Sequence, residues 1–260
     1  MSTTTAMAMV VAAGLVFASG ARAEDKDASG QKETWTLTRD GKVLGTESLR
    51  LVVKDDGQRF ASGEIKATLG KQKLHRKSHT QRGADGHLDK YQRVEAGLKG
   101  AGVRLYLFEG KVRVAPVNAP GKPTALDGDV ARVWDADLWH LYALWDLPTG
   151  CPTEKKLSYL DPDKKISGQA TLSCKGRETV YDAGKGPVEV SVLEVRGVPS
   201  EVELLVDGKG GLVGARGKDR VMLKAKWAWH ADERPVTPGD DAKAQGDDDD
   251  DEKVDRGIGE

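Results

Sequence analysis

The sequence predicts a mostly β protein, a curved antiparallel sheet forming a barrel or half-barrel around one helix. Three observations lead there. Apolar and polar residues alternate with period two through stretches such as VRLYLF, KVRVAPV and EVELLV, the mark of half-buried strands. Asp-Gly or Glu-Gly pairs punctuate them at Asp40-Gly41, Asp56-Gly57, Asp85-Gly86, Glu109-Gly110 and Asp207-Gly208, where a tight hairpin needs positive φ angles. One segment alone, Asp135 to Pro148, changes to a helical period.

The strands come in order from Glu33. Trp35 and Leu37 precede Arg39-Asp40-Gly41-Lys42, and Val43 follows it, which defines the first hairpin. Later segments such as HLDKYQRV, KKISGQATLSC, GPVEVSVLEVRG and DRVMLKAKWAW repeat the habit, for about twelve strands in all. No shared residues recur at a fixed longer period, so a repeat architecture is not indicated. That many antiparallel strands must protect their edges, and closure into a barrel or half-barrel is the expected solution.

The exception reads as a helix over 136–146. Leu138, Leu141, Tyr142 and Trp145 fall at i, i+3, i+4 and i+7, Asp135 or Asp137 suits the N-cap, and Pro148 with Gly150 ends it. Its apolar face is expected to pack on the sheet as a core helix or as a lid over an apolar cavity. Trp139, Leu141, Tyr142 and Trp145 are the candidate ligand-binding residues.

The two ends have a different texture. Residues 1–23 lack acidic side chains, carry the apolar run AMAMVVAAGLVFA and close on Ala21-Arg22-Ala23, the small-x-small pattern of a signal peptide cleaved after Ala23. The run is shorter than the roughly 20 residues needed to span a bilayer, so the protein is expected to be exported, periplasmic or secreted, and not membrane-spanning. Its n-region has no Lys or Arg. Residues 24–32 read as a flexible leader, 33–231 as the β domain and 232–260 as a disordered acidic tail. Within 240–260 ten acidic side chains face Lys243, Lys253 and Arg256, which leaves the body of the chain mildly basic.

Few residues suggest chemistry. Cys151 and Cys174 make an even pair, expected to form a disulfide in an oxidising compartment. His75 and His79 have zincin spacing, but that spacing gathers ligands only on a helix; on a strand it spans about 13 Å, and Arg76 stands where the motif needs Glu. His140 lies inside the helix and reads as a satisfied polar contact. The glycine-rich stretch from Asp207 to Gly217 leads into a strand and not into a helix N-terminus, so it reads as a hairpin and not a phosphate loop. No catalytic residue, metal site or cofactor is indicated. Lys71, Lys73, His75, Lys77 and His79, within Lys71–Arg82, share one strand face and could meet an anionic surface such as phospholipid headgroups or acidic polysaccharide. A nucleic-acid role is disfavoured for an exported chain without interleaved aromatic residues there.

The opening Trp35-Thr-Leu-Thr-Arg-Asp-Gly-Lys-Val-Leu-Gly-Thr-Glu, the later Asp85-Gly-His-Leu-Asp-Lys-Tyr91 and the closing Pro199-Ser-Glu-Val-Glu-Leu-Leu-Val-Asp207 resemble bacterial exported β-rich proteins of uncharacterised function. The broader likeness is to half-barrel envelope proteins of the lipoprotein-carrier type, in which a sheet wraps a helix. That resemblance brings over no active-site residue. The leading expectation is therefore an exported envelope or extracellular binding protein for an apolar or lipid ligand. The alternatives are an envelope hydrolase whose groups converge only in three dimensions, and an interaction module using the acidic tail.

Overall fold

The hairpins form where the sequence places them. Asp40 and Gly41 both adopt positive φ, 51° and 77°, which is the two-residue turn that joins β1 (Gln31–Arg39) to β2 (Lys42–Val53). This computed structural model describes residues 30–96, 101–108, 111–117, 123–126 and 132–230. The expected signal peptide, most of the leader, the Glu109-Gly110 turn and the acidic tail lie outside the described residues.

The meander continues through β3 (Arg59–Leu69), β4 (Gln72–Arg82), β5 (Leu88–Glu95), β6 (Gly102–Phe108), β7 (Lys111–Pro116) and β8 (Thr124–Leu126). The second half adds β9 (Lys155–Asp161), β10 (Ile166–Asp182), β11 (Gly186–Arg196), β12 (Val202–Val206), β13 (Leu212–Arg216), β14 (Val221–Lys224) and β15 (Trp227–Ala228). Fifteen strands form one antiparallel sheet, a few more than the twelve expected, because short strands such as β8 and β15 carry too few residues to show a period.

The expected barrel or half-barrel is not formed. Hydrogen bonding follows an open path from β15 through β10 to β14, then β1 to β8, with β9 also on β10, and β8 does not pair with the opposite end. Edge protection is achieved differently. The outermost strands β8 and β15 are three and two residues long, and short edges offer little template to another chain. The edge of β9 is covered by residues 132–134: Trp134 N–H donates to the Leu160 carbonyl at 2.8 Å and Leu160 N–H to the Arg132 carbonyl at 2.9 Å.

The expected helix over 136–146 is also corrected. Its apolar periodicity is real, but the chain forms only a six-residue 3-10 helix, Trp139–Leu144, closed by i to i+3 bonds such as Trp145 N–H to the Tyr142 carbonyl. Its N-cap residue, Leu138, makes no capping bond, and the His140 N–H of its first turn donates instead to the Glu47 carboxylate of β2. The carboxylates of Asp135 and Asp137, which the sequence offers as caps, are held by arginines of the sheet, with Asp135 also accepting from the Asp137 N–H, so neither serves as the helix cap.

The main core lies between one sheet face, here the inner face, and the segment 132–148, with Trp35, Leu37, Ile65, Leu105 and Trp145 fully buried. A smaller cluster, including Val180, Val190, Leu205 and Leu223, sits on the opposite, outer face of β10–β14 under Trp227 and Trp229. Cys151 and Cys174 form a disulfide with Cα atoms 5.0 Å apart across 23 positions, tying the exit of the 132–148 segment to β10. Replacing both cysteines with serine is expected to lower stability by about 3 kcal/mol in the chain-entropy account. Urea titration would read it as a lower midpoint, with an m-value that rises as the denatured chain expands, and an unshifted midpoint would exclude the constraint.

Candidate functional site

The inner face of β2–β5 is polar where an ordinary core would be apolar. Register places Glu47, Ile65, Arg76 and Glu95 across from one another, and likewise Leu49, Gly63, Ser78 and Arg93. Segment 132–148 lies on this strip and brings its own polar groups. His140 meets it at the centre. The Glu47 carboxylate accepts from both the His140 backbone N–H, at 2.9 Å, and Nδ1, at 2.7 Å. On the far side of the ring Nε2 lies 2.8 Å from Ser78 Oγ. Gly63 makes the approach possible, since a Cβ there would stand 2.0 Å from His140 Nε2.

Ion pairs flank this line. Arg93 binds Asp135 and also holds Asp163 through two bonds of 2.9 and 2.6 Å. Arg76 pairs with Asp137 and Glu95. Arg82 binds the Asp146 carboxylate at 3.0 Å and the Leu144 carbonyl at 2.7 Å. Arg220 donates to the carbonyls of Ala136 and Asp137, both at 3.0 Å, and lies 4.3 Å from the centre of the Trp139 ring. Burial alone would disfavour a charged Arg93, but Asp163 and Asp135 outweigh it and hold its proton more tightly than usual. Burial likewise opposes ionisation of Asp146, and Arg82, Arg132 and Arg59 reverse that, so its carboxyl stays below the usual range.

Carboxylate, imidazole and hydroxyl in this order match the charge relay of serine hydrolases. Access does not match. Ser78 is 1% exposed, and Glu47 and His140 are fully buried. His140 also rides on the 132–148 segment, so any movement of that segment that exposed Ser78 would withdraw its base. The relay is therefore a latch that fastens the segment to the sheet. His140 is the satisfied polar contact that the sequence suggested; its partners Glu47 and Ser78, 93 and 62 residues away, went unseen.

The four residues expected to bind a ligand lie in the main core. Tyr142 and Trp145 pack edge to face with ring centres 4.7 Å apart, Trp145 N–H donates to the Val133 carbonyl, and Trp134 N–H to the Tyr142 hydroxyl. Trp139 and Leu141 are buried beside them. The void against Leu141 and Trp145 measures about 10 Å³, room for at most one water. An apolar ligand at these residues would require the segment to leave.

The outer face of the same strands is different. Alternation on β4 sends Leu74, Ser78 and Arg82 inward and Lys73, His75, Lys77 and His79 outward, the shared face that the sequence indicates. Cross-strand register extends it: Lys32, Arg50, Ser62, His79, Gln92 and Arg104 form one row across six strands. The next row holds Val52, Phe60, Gln81, Lys90, Tyr106 and Arg113. Glu64 of β3 is a carboxylate within this face, and Asp55 and Asp56 of the β2–β3 turn stand at its end. Burial opposes the charge of Glu64, but His75 at 2.8 Å, with Lys66 and Lys77 close by, keeps its carboxyl below the ordinary range. An open groove of about 1060 Å³ runs over these rows at the β2–β3 end, lined by Arg50, Val52, Phe60, His79 and Lys90 among others. Lys54 sits 4.7 Å over the Phe60 ring and Arg104 5.8 Å over that of Tyr106.

Among the described residues no group of three or more His, Cys, Asp or Glu is placed to hold a metal ion. No helix there is long and apolar enough to cross a membrane.

No family model matches the chain, and no curated protein matches it. Among solved structures it is similar to a beta-barrel-like protein of a domain of unknown function, DUF1849, from Brucella abortus, with 13% identity over 78% of this chain and 98% of that one and a TM-score of 0.48. This is a weak likeness to an uncharacterised bacterial β-rich protein, the kind of resemblance found in the sequence.

Proposed function

We propose that the protein is an exported, non-enzymatic binding protein that meets anionic lipid through the outer face of β2–β6. The observation that carries this reading is the pair of cross-strand rows, cationic along Lys32, Arg50 and Arg104 and mixed cationic and apolar along Val52, Phe60, Lys90 and Tyr106. Cations alone would serve any polyanion. Lipid is favoured over acidic polysaccharide by the apolar side chains of the groove, where Val52 of β2 lies opposite Phe60 of β3. Phosphate headgroups would meet the cations while these side chains reach toward the acyl region. A signal peptide in residues 1–23, as the sequence reads, would bring such a protein to an envelope surface.

The purified protein is expected to sediment with phosphatidylglycerol vesicles and not with phosphatidylcholine vesicles, and to lose binding as salt rises. Each cation near an anionic membrane is worth about 1 kcal/mol, so K77Q with K90Q should weaken binding about 30-fold. Equal binding to both vesicle types, or no effect of the double substitution, would overturn the proposal.

A further inference from the structure

The acidic tail and the basic face are connected through a single surface of the sheet. Trp229, almost the last described residue, lies against Arg216 of β13, with the guanidinium 5.4 Å from its ring. That contact is on the outer face, together with the small cluster that includes Leu223. Register carries the face onward without a change of side: Leu223 opposes Thr36, Thr36 opposes Thr46, Thr46 opposes Lys66, and Lys66 opposes His75. The last described residues, Trp229 and His230, therefore lie on the face that bears the cations.

Distance and charge both permit a return along it. From β13 to β4 is five strand steps, about 24 Å at ~4.8 Å per step. Asp247 lies 17 residues beyond His230, a reach of up to about 56 Å for extended chain. The stretch 240–260 carries ten acidic side chains against three basic ones, five of them the run Asp247 to Asp251. The outer face offers Lys32, Arg50, Lys66, Lys77, Lys90 and Arg104 against Glu64 within it and Asp55 and Asp56 at the end of its groove. A tethered polyanion beside a polycationic surface acts as an intramolecular ligand at high effective concentration.

We infer that residues 240–260 dock on the outer basic face of β2–β6 and compete there with the anionic partner. That the partner is lipid rests on the function proposed above; the docking itself does not. The tail is thus a built-in competitor that sets how strongly an external anionic surface must attract before it displaces the chain's own carboxylates. The apparent affinity for that surface falls to the intrinsic value multiplied by the fraction of molecules whose face is left open.

The test uses the full chain in two measurements. Carbodiimide links a carboxylate to an amine in direct contact. At low ionic strength, with a screening length of about 30 Å, peptide mapping should find residues 240–260 joined to Lys66, Lys77 or Lys90. At 1 M salt, with screening within about 3 Å, those links should vanish. In the second measurement, a full-length variant with Asp247 to Asp251 all changed to Asn should bind phosphatidylglycerol vesicles about tenfold more tightly, the gain expected if about nine-tenths of the faces are covered. Links to other lysines only, or none at low salt, would overturn the docking whatever the vesicles show. Links to the basic face in a protein whose native and Asn forms both ignore the vesicles would uphold the docking and sink the lipid reading. Links with unchanged vesicle affinity in the Asn variant would overturn the competition.

Discussion

Replacing Glu47 with alanine is expected to lower the unfolding free energy by about 3–5 kcal/mol, because it strands two buried donors at once. The size follows from what stays behind. Glu47 receives two donors, the backbone N–H and the Nδ1 of His140, both in a fully buried position. Each donor left without a partner costs about 1–3 kcal/mol, and the lost side chain leaves a void under Trp35. Ser78→Ala should cost much less, about 1 kcal/mol, because the His140 ring stays anchored through Nδ1. A catalytic relay would rank the two the other way for activity, since the hydroxyl would be the attacking group. Urea unfolding of the two variants, with His140→Ala and the Glu47–His140 double mutant to close a cycle, separates these cases. Independent, additive losses from Glu47 and His140 would refute the latch.

Much of the fold is legible in the sequence because its determinants are local. Asp40-Gly41 encodes a turn through two φ angles, and the alternation on β4 encodes which side chains share a face. Cys151 and Cys174 are legible for a different reason, being the only such pair. The need to protect edges does not dictate closure of the sheet, because the chain meets it with two- and three-residue end strands and with residues 132–134. The helix shows the limit of periodicity: it identified Leu138, Leu141, Tyr142 and Trp145 as one buried face. Whether that face winds as α or 3-10 depended on Asp135 and Asp137 meeting Arg93 and Arg76, contacts 42 and 61 residues away.

The latch escaped for a similar reason. A polar residue in a strand is ordinarily read as outward, yet Glu47 stands in phase with Leu49 and Leu51, and Ser78 and Arg82 in phase with Leu74. Such an out-of-place polar residue is the available signal. By itself it marks a buried polar position and leaves the partner unnamed. Several positions of this sort on neighbouring strands together mark a polar strip inside the sheet.

Arginine 93 sits at the other end of that strip, and Arg93→Ala is expected to match Glu47→Ala in cost, about 3–5 kcal/mol, because it strands the Asp135 carboxylate, whose side chain is 1% exposed. The same substitution should alter the response to acid. Hydrogen bonding to Arg93, opposed by burial, holds the Asp163 carboxyl below its ordinary value in the folded protein. A carboxyl depressed on folding stabilises the native state above its unfolded pKa of about 3.9 and loses that contribution as pH falls through the folded value, because the unfolded chain binds the proton first. Wild-type stability should therefore fall as pH drops from about 5 toward 2. Arg93→Ala should start lower and fall less steeply, since Asp163 then titrates nearly alike in both states. Arg93→Met with Asp135→Asn should recover much of the loss at neutral pH, as removing both buried charges leaves neither uncompensated. Urea midpoints across that pH range decide the matter: an acid slope in Arg93→Ala as steep as in wild type would mean that the pair with Asp163 does not set the acid response.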